Sequence, residues 1–147
     1  MKKLILFSFL LVFGISNAQK KKNEPQSIIS VKVGIKKYHN KEELNRMQKG
    51  ELLGLYIERI ESLVQTLPYI AFATKPGKTM STYGIPNTKE NRKTLEDKIE
   101  GTTDFLETTI EFQKKMLPYS DKSNLIAAIL FYEETMKSLH EYNEFRH

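Results

Sequence analysis

Three histidines and no cysteine limit what chemistry this chain can do. His140, Glu144 and His147 fall four and three residues apart, so a continuous helix carries all three on one face, a spacing that suits a divalent ion such as Zn²⁺. The third ligand is the last residue, however, and helix ends fray without supporting partners, so the favoured reading is a solvated helix end with no bound metal. Met136 and His140 stand one turn apart, a spacing haem bundles use. A Cys-x-x-Cys-His attachment is excluded by composition, and no cofactor is expected.

Catalytic motifs fare no better. Neither a Gly-x-Ser-x-Gly elbow nor a His-Glu-x-x-His pair occurs. Glu133 with Glu134, and Glu141 with Glu144, read as solvated helix faces, where carboxylates keep ordinary pKa values and do no acid or base work. Gly77 between Lys75 and Lys78 lacks the first glycine of a phosphate loop. The chain is expected not to be an enzyme.

Recognition has a better candidate. Links in helical bundles run to two to eight residues as a rule, and the connection over 68–86 is longer. Aromatic, apolar and cationic residues alternate through it, and Tyr69, Phe72, Lys75, Lys78, Tyr83 and Ile85 form a candidate partner-binding surface. The competing reading is that Ile70, Phe72 and Ile85 cap the core or form a short fourth helix.

Three long helices must position that loop. Asn40 with Glu43 is a capping-box pair, starting a helix whose stripe is Leu52, Leu53, Tyr56, Ile57, Ile60, Leu63, Val64 and Leu67, with Arg59 among the residues on the other faces. Gly50 and Gly54 weaken it and suggest a kink or a close helix crossing, and Pro68 stops it. Asn87 with Glu90 repeats the cap. The next stripe runs Leu95, Ile99, Thr102, Leu106, Ile110 and Leu117, with Phe105, Phe112 and Met116 alongside. A third helix follows Ser120 or Asp121 and turns Leu125, Ile129, Tyr132, Met136 and Leu139 inward. The turn at 118–121 is short enough to make the last two helices antiparallel neighbours. Leu67, Pro68 and Tyr69 recur as Leu117, Pro118 and Tyr119, which shared helix-stopping chemistry explains.

The fold class expected is all-α: an antiparallel three- or four-helix bundle over 40–147, with one long ordered loop and a disordered or strand-like extension over 19–39. Within that extension Ile29, Val31, Val33 and Ile35 alternate with polar residues or glycine, the period-two pattern of a short strand over 29–35.

Residues 1–18 stand apart. Lys2 and Lys3 precede an uncharged run over 4–15, and Ser16, Asn17 and Ala18 supply a small-residue cleavage site before Gln19. The run is too short for a permanent span, which needs about 20 residues. This segment resembles the Sec signal peptides of Gram-negative bacteria, which implies a periplasmic or secreted product with no stable membrane span after cleavage. The formal charge of +5 includes Lys2 and Lys3, so the mature chain carries about +3 and no nucleic-acid signature. The basic excess lies over 20–49, where nine basic residues face three acidic ones. The function expected is binding to a protein partner in the cell envelope. The alternative is a periplasmic carrier of a small ligand or metal, with a pocket between helices lined by Tyr56, Phe105, Phe112, Tyr132 and Met136.

Overall fold

The computed structural model describes residues 25–73 and 75–144, with side chains as far as Leu139. The segment over 1–18 expected to direct export, the lysines over 20–22 and the side chains of His140, Glu144 and His147 lie outside the described residues.

Among the described residues the chain is an all-α bundle of four helices: α1, Lys41–Arg46; α2, Lys49–Thr66; α3, Lys89–Met116; and α4, Lys122–Glu144. The Asn40 capping box forms as its spacing predicts. Glu43 N donates to Asn40 Oδ1 at 2.8 Å, and Asn40 N donates to Glu43 Oε2 at 3.0 Å. The bond from the Asn40 amide, together with the Lys37 ammonium, holds the Glu43 carboxyl below its ordinary range.

The single first helix expected from Asn40 is instead two. Met47 and Gln48 are extended, and α2 starts afresh with Gln48 N donating to Glu51 Oε2 at 2.7 Å. The fourth helix therefore comes from this break, while the described residues of the long connection contribute 3₁₀ turns, Leu67–Tyr69 at its start and Met80–Tyr83. Neither Gly50 nor Gly54 marks a close crossing, since a Cβ at either would meet nothing within 4 Å. The cap of α3 also shifts by one residue: Thr88 Oγ1 accepts from Asn91 N at 3.1 Å, and Asn87 gives its carbonyl to Arg92 Nη1. Both Leu-Pro-Tyr triplets form 3₁₀ turns, Leu67–Tyr69 and Leu117–Tyr119, because proline removes the amide that would extend the α-helix. Their surroundings differ: Tyr69 is buried and Tyr119 is 87% exposed.

Helix α2 is the centre of the bundle. It packs along α4, with α1 closing one end, and α3 lies against its other side. The neighbours expected from the short turn, α3 and α4, share little contact. Lys49 Nζ donates to Pro118 O at 2.6 Å and Lys122 Nζ to Asn45 O at 2.7 Å, tying that turn to the α1–α2 junction. Once the turn is held there, each helix has α2 to bury against.

Two cores result. Leu44, Leu52, Tyr56, Leu125, Ile126 and Ile129 fill the space between α1, α2 and α4. The second core joins the N-terminal segment to the loop: Ile28, Ile29 and Val33 pack with Tyr69, Ala73, Met80 and Leu95. Each such aliphatic side chain contributes roughly 1.5–3 kcal/mol by leaving water.

No strand forms over 29–35. Ile29 and Val33 are buried but Val31 is 75% exposed, so the alternation does not describe a sheet face. Ile28 N donates to Lys78 O and Gly77 N to Ile29 O, each at 2.9 Å, and then the chain turns, with Val33 N donating to Ser30 O. Gly77 is required here. Its φ is +80°, and a Cβ would lie 3.0 Å from Val31 Cγ1. Phe105, Phe112 and Met116 also depart from the sequence reading, being 55%, 58% and 50% exposed. Among the described residues no helix is long and apolar enough to cross a membrane.

Candidate functional site

Loop 68–86 is built like a bracket. Ala73 N donates to Tyr69 O at 2.6 Å and Ile85 N to Met80 O at 3.0 Å, so backbone bonds close it at both ends. Tyr69, Ala73 and Met80 are buried, and Ile85 is half-buried against the same core. Burial raises the Tyr69 hydroxyl above its ordinary pKa. The six residues expected to bind a partner therefore divide. Tyr69 and Ile85 anchor the loop, while Phe72, Lys75, Lys78 and Tyr83 face solvent. Phe72 meets Tyr69 edge to face, with ring centroids 5.9 Å apart, so the exposed ring stands on a fixed one.

Two hollows flank this bracket. One, of about 220 Å³, runs between the loop and α3, with Phe72, Met80, Ile85 and Leu95 in its wall. The other, of about 380 Å³, lies on the far side of Ile28 and Tyr69, and its rim carries Gln26, Ser27, Ser30, Gln65, Thr102 and Thr103. Every residue lining the larger hollow is uncharged, although 28% of the chain is charged. Thr102 and Thr103 donate to carbonyls of α3, which leaves their oxygens as acceptors. Such a hollow suits a neutral molecule with an apolar body.

The pocket expected between helices does not assemble. Tyr56 and Tyr132 do meet, with hydroxyls 3.3 Å apart and ring centroids at 5.5 Å, but Phe105 and Phe112 point to solvent from α3. Burial, followed by the hydrogen bond between Tyr56 and Tyr132, pushes the Tyr56 hydroxyl up to about 12.

A buried ionic cluster joins three segments, and sequence reasoning missed it. Arg59 on α2 and Glu133 on α4 are 1% and 0% exposed. Arg59 donates to Glu133 Oε1 from Nε at 3.0 Å and from Nη2 at 2.8 Å, and Nη2 also donates to Lys37 O at 2.7 Å. Glu133 Oε2 accepts from His39 N at 2.6 Å, and His39 Nδ1 stands 3.2 Å from both Glu133 Oε1 and Arg59 Nη2. Arg59 Nη1 reaches Glu58 at 3.0 Å. No buried side-chain polar atom among the described residues lacks a partner. The cluster is closed from solvent and fully engaged, so it holds the 37–39 segment onto the bundle instead of presenting a reactive group.

A signal for it was present in the register. Leu52, Tyr56, Arg59, Leu63 and Thr66 follow a four-three-four-three spacing, and Leu125, Ile129, Glu133 and Met136 keep to the same seam on α4. A charge at a seam position is a charge that needs a buried partner.

No protein-family model matches the chain, and neither a curated protein nor a solved structure matches it.

Proposed function

We propose that this chain is an exported, non-enzymatic helical-bundle protein that binds a protein partner in the cell envelope through the outer face of loop 68–86. The observation that supports this most is the loop's division of labour. Four anchoring residues hold it in the core while Phe72 and Tyr83, with Lys75 and Lys78, project outward. A surface fixed before binding loses little entropy on association, and aromatic side chains are common anchors of protein interfaces. The export reading rests on the order of basic, apolar and small residues over 1–18. Its check is direct: protein recovered from the periplasm or medium has the intact mass of a chain beginning at Gln19, whereas retention of residues 1–18 contradicts export by cleavage.

The binding reading is tested by crosslinking capture from the native envelope, comparing the wild-type chain with Phe72→Ser/Tyr83→Ser. Both rings are partly exposed, so the variant keeps its helical signal, and its melting temperature falls only modestly through the lost contact of Phe72 with Tyr69. Capture of the wild-type partner falls roughly tenfold or more if these rings anchor the interface. Equal capture removes the loop from consideration. The uncharged hollow of about 380 Å³ supports a second reading, a carrier of a small neutral ligand. That reading expects no partner and a co-purifying molecule whose return raises the melting temperature.

A further inference from the structure

We propose that α3 forms the seam of a twofold-symmetric homodimer in which two copies pack antiparallel along their Phe105–Phe112 faces. Within its own chain α3 is under-used: Leu95 and Leu106 are its buried residues, although it runs for 28 residues. Phe105, Phe112 and Met116, spaced by seven and four, lie on one side of the helix and are half or more exposed. Gly101, Thr108 and Thr109 complete that side.

The order of these residues selects a second copy over an unrelated partner. About a midpoint between Thr108 and Thr109 the face is mirrored: Phe105 with Phe112, and Gly101 with Met116. An isologous contact needs that relation, because a twofold axis sets each residue against its counterpart in the reversed helix. Each phenyl ring then meets the other ring of the partner, and each Met116 enters the recess over Gly101. The interior of the chain does not account for this glycine. A Cβ at Gly101 meets nothing within 4 Å, yet glycine in a helix interior costs stability. A facing methionine supplies the reason for it.

One polar group on the face, the Thr108 hydroxyl, is ready for burial. Thr108 Oγ1 already lies 3.0 Å from Phe105 O and 3.2 Å from Asp104 O, so covering it orphans no donor. Charges agree as well. Asp104 and Lys115 lie on the same flank of α3 at opposite ends of the apolar stretch, and reversal brings each Asp104 toward Lys115 of the partner subunit.

The test uses the purified protein in sedimentation velocity together with single cysteines, which are clean probes in a chain that has none. Wild type sediments as a dimer with a concentration-dependent midpoint. Phe105→Glu/Phe112→Glu raises the dissociation constant at least about a hundredfold. Gly101→Leu weakens the dimer while raising the melting temperature of the monomer, an opposition that a purely internal role for Gly101 would not produce. Should the glutamate variant fail to fold, Gly101→Leu and the cysteines decide. Thr108→Cys or Thr109→Cys links two copies on oxidation or with a short bis-maleimide. Thr94→Cys does not, because antiparallel packing separates the two copies of that position by roughly 40 Å at 1.5 Å per residue. A wild-type monomer at about 100 µM, a concentration at which specific dimers form, overturns the proposal. So does a dimer indifferent to Phe105 and Phe112, or one that links as readily at position 94.

Discussion

Arg59→Met lowers the free energy of unfolding by about 3–5 kcal/mol, because it leaves Glu133 charged and fully buried without its main partner. Methionine keeps much of the length and removes the charge, so the loss reports electrostatics more than volume. Three of the hydrogen bonds in the cluster come from the Arg59 guanidinium, two to Glu133 and one to the Lys37 carbonyl. Urea denaturation at neutral pH measures the change, and a loss under about 1 kcal/mol, the range of an exposed pair, would show that water reaches the cluster. The paired variant Arg59→Met/Glu133→Leu recovers most of the loss, since well-packed apolar side chains commonly replace a buried ion pair at little cost. Non-additivity of this kind is the signature of direct contact. The deficit in Arg59→Met is accompanied by release of the 37–39 segment, which amide exchange at His39 detects, because the His39 amide donates to Glu133 and remains sheltered only while that carboxylate stays in place.

Stability declines steeply above pH 10 through Tyr56. Its hydroxyl is pushed up to about 12 in the folded chain, against about 10 for an unperturbed tyrosine. Between those two values the unfolded chain has released the proton and the folded chain still holds it, so unfolding releases a proton and higher pH favours it. The stabilisation is therefore intact below pH 10 and is lost as pH rises toward the folded value. Each unit costs at most about 1.4 kcal/mol, and because the hydroxyl is only part-buried and solvent screens it the full interval removes about 1–2 kcal/mol. Burial raises Tyr69 as well, and burial with the Glu133 carboxylate raises Tyr38, so both add to the decline in the same direction. Denaturation curves at pH 9, 10 and 11 locate the onset. In Tyr56→Phe the slope flattens, and an identical slope would mean that Tyr56 is not the group responsible.

The buried ion pair also shows where local reading of a chain stops. Arg59 stands next to Glu58 and Ile60, and nothing in that neighbourhood distinguishes a solvated arginine from a buried one. Its partner is 74 positions away. Only the seam register of Leu52, Tyr56 and Leu63 hinted that residue 59 faces inward. Glu133 was assigned to a solvated face for the same reason, and it is the most enclosed carboxylate described. For loop 68–86 the sequence went further: the apolar residues that hold it and the aromatics and lysines that decorate it are visible as residue types. Which residues do which was not, because Tyr69 and Phe72 have similar ring chemistry and only their placement over Ile28 and Met80 separates anchor from surface.

Sequence by itself determined the helical class, the cap at Asn40, the stops at Pro68 and Pro118 and the apolar seam of α2, because each depends on interactions within a turn or two of the residue concerned. Tertiary structure decided that α2 is central, that α3 and α4 part after their turn, that Ile29 and Val33 enter a core with Met80 and Leu95, and that Phe105 and Phe112 stay outside. Those outcomes depend on which surfaces compete for the same partner. Two helices joined by a short turn can pack together or can both pack on a third, and the local pattern of either helix satisfies both arrangements equally. The choice is made by the total apolar area removed from water and by whether a buried charge such as Glu133 finds its guanidinium.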